Sequence, residues 1–133
     1  MAHLTKNKKL KVYVTHATSF EFKKMLYEPL KSSVINLYCD IILPHENDDK
    51  VINSKLTIRE SDLIIAEVSY PSTGQGIELG WAEVFSIPVV CIYQDGKNYS
   101  SSLSVITDQF VLYNNSDELV HKLSYMFEKM REQ

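Results

Sequence analysis

The run Glu67-Val68-Ser69-Tyr70-Pro71-Ser72-Thr73-Gly74-Gln75-Gly76-Ile77-Glu78-Leu79-Gly80-Trp81-Ala82 gathers carboxylates, small hydroxyls and glycines in one stretch. It reads as the end of a buried strand, a Gly/Ser turn and the first turn of a helix. Gly74 and Gly76 let a ligand approach the backbone closely, and the free N–H groups of a helix start favour an anion. The dinucleotide fingerprint is a different pattern, because here the spacing is G-x-G-x-x-x-G and the segment follows strand three. On this reading Glu78 lies in the first helical turn, where the macrodipole favours its ionised form. Such a carboxylate at the mouth of a crevice can attack an anomeric carbon. The alternative is an ordinary first-turn Glu that stabilises its helix.

Other side chains carry two readings each. Glu67 pairs with Glu78 as a carboxylate dyad, or accepts hydrogen bonds from loop N–H groups. His16 and His45 follow strands 1 and 2 and titrate near neutrality, so either can donate a proton or contact an anion; otherwise they are plain loop residues. Trp81 and Tyr70 line a base-stacking wall, or serve as core or subunit contacts. His3 and His121 read as solvated. With no His-x₃-His or Cys-x₂-Cys spacing, no metal site is expected.

Alternating elements must position these groups. Strands are expected over residues 10–14, 34–43, 62–68, 88–93 and 109–113. Helical periodicity covers 20–33, with Pro29 as a kink or stop, then 54–61, 77–86 and the segment after Ser116, read as its N-cap. Residues 71–76 form a turn; 45–50 and 94–102 are loops. Strand–helix alternation implies a parallel sheet covered on both faces. Right-handed crossovers give a single-domain, flavodoxin-like α/β fold with strand order 2-1-3-4-5. In such sheets ligands bind beyond the carboxyl ends of the strands, at the switch between strands 1 and 3. That rule selects residues 15–19, 44–46 and 67–78.

Composition narrows the function. A chain of 133 residues suits one domain, and 44% hydrophobic with 23% charged residues is ordinary for a globular protein. Fourteen basic residues face 17 acidic ones, net −3, which disfavours polymeric nucleic acid as a partner but not a single nucleotide. No apolar run is long enough to span a membrane. The polar, basic residues 1–9 do not read as a signal peptide. Cys39 and Cys91 sit in apolar runs and read as reduced core residues of a cytoplasmic protein.

The pattern Ala66-Glu67-Val68-Ser69-x-Pro71-Ser72-x-Gly74-x-Gly76-x-Glu78-Leu79-Gly80 resembles the nucleoside 2-deoxyribosyltransferase superfamily, closest to its 2′-deoxynucleoside 5′-monophosphate N-glycosidase branch. Val12-Tyr13-Val14 and Leu43-Pro44-His45-Glu46 extend the likeness. The resemblance implies that Glu78 attacks C1′ and forms a glycosyl ester, that Tyr13 lies beside it, and that Ser72 helps bind a 5′-phosphate. It also implies a partner-subunit serine near Ser102 or Ser104, a homodimer meeting through Trp81, Phe85 and residues 99–103, and no cofactor. Two departures stand out: Ser54 occupies the place of the family's usual Asp, and His16-Ala17 replaces a Gly-Ser pair. The expected activity is hydrolysis of the N-glycosidic bond of a (deoxy)nucleoside or its 5′-monophosphate, with the base taking its proton from Glu67, a His or water. The alternatives are transfer of deoxyribose between bases, or a nucleotide-binding module that has lost turnover.

Overall fold

The computed structural model describes residues 8–47 and 53–132. The readings of His3, of the basic start up to residue 7, and of residues 48–50 in the loop fall outside them. Five β-branched runs form five strands: β1 (Leu10–His16), β2 (Cys39–Ile42), β3 (Leu63–Glu67), β4 (Val89–Gln94) and β5 (Phe110–Tyr113). They pair in parallel in the order β2-β1-β3-β4-β5, as the alternation of elements implied. No helix among the described residues is long and apolar enough to cross a membrane.

Strand parity divides the interior in two. Leu10, Val12 and Val14 of β1, with Leu63 and Ile65 of β3, pack against Leu26, Tyr27, Leu30, Leu119, Leu123 and Phe127. Tyr13, Ile64 and Ala66 point the opposite way, toward Ile58, Leu79 and Ala82. Each fully buried Leu, Ile or Phe contributes about 1.5–3 kcal/mol, so both layers are strongly fixed. Burial also pushes the Cys39 and Cys91 thiols up to about 12, which keeps both protonated and unreactive.

The helices differ from expectation where local polar bonds outweigh periodicity. Pro29 has no N–H for the Met25 carbonyl. The chain adapts through a π-helical turn, Lys23–Tyr27, in which the Glu28 N–H reaches the Lys23 carbonyl before α1 (Glu28–Lys31). Residues 34–37, expected as strand, form a 3₁₀ turn, Val34–Leu37. There the Ser33 hydroxyl accepts from the Ile35 N–H at 3.3 Å, and the Asn36 amide donates to the Leu30 and Ser33 carbonyls at 2.9 Å. These local bonds satisfy the backbone without a ladder. The loop expected to run to residue 102 gives way to a second 3₁₀ turn at Ser101–Val105.

Two further helices frame the switch point: α2 (Lys55–Arg59) and α3 (Thr73–Val84). Helix α3 begins four residues earlier than its periodicity suggested, because Ser72 caps it, accepting from the Gln75 N–H at 3.2 Å. Gly74 and Gly76 therefore lie inside the first turn, and Glu78 lies beyond it, where the macrodipole has little hold. The cap of α4 (Ser116–Arg131) is Asn115, not Ser116; its side chain accepts from the Glu118 N–H at 2.8 Å. Ser116 instead donates to the Met25 carbonyl at 3.4 Å. Asn115→Ala is therefore expected to cost about 1 kcal/mol in urea denaturation, and Ser116→Ala well under half of that.

Candidate active site

Helix α3 is pinned over the switch point by Gln75. Its buried carboxamide donates to the Thr15 carbonyl at 3.2 Å and to the Glu67 carbonyl at 2.7 Å, bridging the ends of β1 and β3. Glu78, three residues on, is carried to the adjacent flank of the helix and over β1. There the Tyr13 hydroxyl donates to its Oε2 at 2.6 Å, and the Thr15 hydroxyl donates to its Oε1 at 2.7 Å. The Ser54 hydroxyl, buried ahead of α2, also donates to Oε2. Burial, then the bond to Glu78, raises the Tyr13 pKa far above its ordinary value. The phenol stays a neutral donor at any physiological pH.

This carboxylate faces a cavity of about 370 Å³ lined by His16, Thr18, His45, Ser54, Ser72, Gly74, Gln75, Ile77, Glu78 and Trp81. Five of the expected site residues thus meet there: Glu78, His16, His45, Ser72 and Gly74; Tyr13 joins them through its bond to Glu78. Thr15 and Ser54 complete the carboxylate's shell without having been singled out as site residues. Thr15 was detectable, since it shares strand parity with Tyr13; Ser54 was marked only as the residue in place of the family's Asp, and its bond to Glu78 emerges from the fold. Gly76 and Ser102 line a second cavity of about 690 Å³ on the other flank of α3, together with Tyr70, Tyr99 and Leu103. Tyr70 and Trp81 therefore do not form one stacking wall. Tyr70 stacks on Phe20 at 4.8 Å.

Glu67 does not reach Glu78. As an odd-numbered residue of β3 it points with Leu63 and Ile65 to the opposite face of the sheet. Its fully buried carboxylate accepts from the Ser69 N–H at 2.6 Å, from the Ser69 hydroxyl at 3.0 Å and from the Tyr113 hydroxyl. Ser69 in turn receives the Gln94 N–H at 2.8 Å. The dyad reading is corrected by parity, and Glu67 is the acceptor that orders the loop after β3.

His16 is also committed internally. Nδ1 lies 2.7 Å from the Ala17 carbonyl, which can only accept, so Nδ1 carries the proton. Nε2 then accepts from the Tyr27 hydroxyl at 2.6 Å, while the same hydroxyl accepts the His45 backbone N–H at 3.0 Å. Burial lowers the His16 pKa below its usual value. The ring lines the cavity as a neutral surface, and its nitrogens are not available to bind a phosphate. Among the described residues no group of three or more His, Cys, Asp or Glu side chains could hold a metal ion.

No protein-family model matches the chain. Curated relatives match parts of it. A Syntrophotalea carbinolica protein with the provisional name 2′-deoxynucleoside 5′-phosphate N-hydrolase 1 is 46% identical over 48 residues, 36% of this chain and 34% of that protein. The 5-hydroxymethyl-dUMP N-hydrolase of Mus musculus is 30% identical over 74 residues, 53% of this chain and 43% of its own. The matched part thus spans less than half the length of either relative. In fold, the chain is similar to the CMP N-glycosidase BcmB of Clostridium botulinum, with a TM-score of 0.63, 24% identity, and coverage of 86% of this chain and 98% of that one.

Two outcomes test these placements. Because His16 titrates at a lower pH folded than unfolded, the unfolded chain binds the extra proton first as pH falls below about 6.5. Stability should therefore decline with acidification through that window, and His16→Gln should flatten this slope in denaturant titrations at pH 7 and pH 5.5. Glu67→Gln should lower the melting temperature by several degrees, since it unbalances a buried hydrogen-bond network worth about 1–3 kcal/mol. By sequence over about half of the chain the protein resembles the nucleotide N-hydrolase branch of the nucleoside 2-deoxyribosyltransferase superfamily, and over most of the chain it shares the fold of a solved member of similar architecture.

Proposed function

We propose that the protein hydrolyses the N-glycosidic bond of a nucleoside 5′-monophosphate through a covalent ester on Glu78. The observation that carries this reading is the Glu78 carboxylate itself, held by three hydroxyls and facing a cavity at the switch point. Oε2 receives two donors and Oε1 one, so Oε1 keeps a lone-pair direction free for C1′. Three neutral donors hold the carboxylate in one geometry and suit both halves of the reaction. They orient it for attack, and they stabilise the charge it regains when water cleaves the ester.

The start of α3 supports binding of an anionic substrate group. Its N–H groups carry partial positive charge, Ser72 adds a hydroxyl, and a Cβ at Gly74 would meet open space within 4 Å. Gly74 is thus not required by internal packing, and it leaves the helix backbone open to a ligand. His16 takes no part by hydrogen bonding. The similarity to proteins named as nucleotide N-hydrolases supports the same substrate class.

We read the chain as a single domain that acts as a cytoplasmic homodimer. Val84 and Val105 are 78% and 79% exposed on the elements bordering the larger cavity, and covering them with a second copy would remove apolar surface from water. Ser102 in that cavity would then stand at the subunit contact. The buried, unpaired Cys39 and Cys91 fit a reducing compartment.

The test is release of free base from a panel of ribo- and 2′-deoxyribonucleotides and nucleosides, with and without an acceptor base. Hydrolysis independent of acceptor supports the reading; activity only with acceptor makes the protein a transferase. Glu78→Gln should lose several orders of magnitude in kcat while its stability changes by about 1 kcal/mol or less. Wild-type turnover in that variant would end the mechanism.

A further inference from the structure

Breaking an N-glycosidic bond leaves charge on the departing base, and a proton donor near that base lowers the barrier. Glu67 faces the other side of the sheet, and its oxygens are taken up by Ser69 and Tyr113. His16 is neutral with both nitrogens engaged. Thr18, Ser54 and Ser72 also line the cavity, but hydroxyls are far too weak as acids near neutrality. One titratable lining residue remains among those described, apart from the nucleophile.

We propose that His45 is the general acid that protonates the departing base; this inference rests on the reading of Glu78 as nucleophile. His45 lines the same cavity as Glu78. Its backbone is fixed by the bond from its N–H to the Tyr27 hydroxyl, and its ring stands edge-on to His16 at 5.6 Å and to Phe22 at 6.1 Å. Unlike His16, it has a ring nitrogen, Nδ1, that is buried and meets no hydrogen-bond partner. A buried ring nitrogen left unsatisfied is costly, and no partner among the described residues ties Nδ1 down as both His16 nitrogens are tied. The groups around His45 are neutral His16 on β1, the Tyr27 phenol of the π-helical turn, Glu78 on α3 and its own neighbour Glu46, which pairs with Lys31.

Glu78 Oε1 forms a bond to C1′ as the C1′–N bond breaks, and that bond's electron pair leaves on the base. The His45 imidazolium gives its proton to a nitrogen or oxygen of the base and becomes neutral imidazole. Water then attacks C1′, Glu78 departs as carboxylate, and the water's second proton returns to His45.

The experiment compares uracil and 5-nitrouracil nucleoside 5′-monophosphates, in ribo and 2′-deoxy forms, because nitrouracil departs readily as an anion. His45→Gln should lower kcat on the uracil substrates by about 100-fold or more and on the nitrouracil substrates by less than about threefold. The fall of kcat toward alkaline pH, present for uracil in the wild type, should vanish in the variant. Equal losses on both leaving groups, no loss on either, or a loss confined to KM for the phosphate would overturn the assignment. A wild type inactive on all four, or a Glu78→Gln variant as active as wild type, would remove the nucleophile reading instead. Circular dichroism and melting curves of His45→Gln separate a folding defect from these outcomes, and His45→Asn repeats the comparison should His45→Gln unfold.

Discussion

The Gln75 carboxamide donates to the Thr15 and Glu67 carbonyls, and those two bonds set the height and rotation of α3 over the sheet. Both carbonyls sit at the carboxyl ends of neighbouring strands, where the ladder stops and a backbone acceptor would otherwise lie buried without a partner. Satisfying them with a side chain from the first turn of the next helix closes the sheet edge and aims the helix in one stroke. Glu78 follows three residues later, so its carboxylate is delivered to Tyr13 and Thr15 without any loop to blur the geometry. Rigid elements on both sides hold the carboxylate in one orientation, as the proposed attack on an electrophilic carbon requires.

The two faces of the sheet handle carboxylates differently. On one, Glu67 is sealed and its oxygens are held by a loop N–H and hydroxyls, so it organises the path from β3 toward β4. On the other, Glu78 is surrounded by donors on one side and a cavity on the other. The same residue type is sealed in the first place and faces a cavity in the second: strand parity sends Glu67 to the far face, and the seating of α3 over β1 places Glu78. A similar division separates the two histidines. Tyr27 donates to His16 and accepts from the His45 backbone, so one phenol locks one ring as neutral and holds the other residue's chain in place.

Much of this architecture was legible from the order of residues. β-Branched runs at regular spacing imposed parallel strands, the handedness of crossovers imposed their order, and the switch-point rule selected the segments that line the cavity. Glu78, His16, His45, Ser72 and Gly74 follow from those constraints and from a long motif of glycines and hydroxyls, whereas Tyr13 was marked by the family resemblance alone. Local capping was less legible. Asn115 takes the cap of α4 over Ser116, a neighbour of equal propensity, and the start of α3 at Ser72 was hidden because the apolar periodicity begins only at Ile77.

What only the tertiary structure decided is which polar groups remain free. In the sequence Glu67 and Glu78 are equal carboxylates, and His16 and His45 equal imidazoles. Packing puts Glu67 on the far face with its oxygens hydrogen-bonded and gives both His16 nitrogens partners, because each buried polar group left without one costs about 1–3 kcal/mol. Ser54 becomes a ligand of Glu78 only because α2 folds back beside α3. The order of residues determined where a site must lie; three-dimensional hydrogen-bond satisfaction determined which of its members are left to do chemistry.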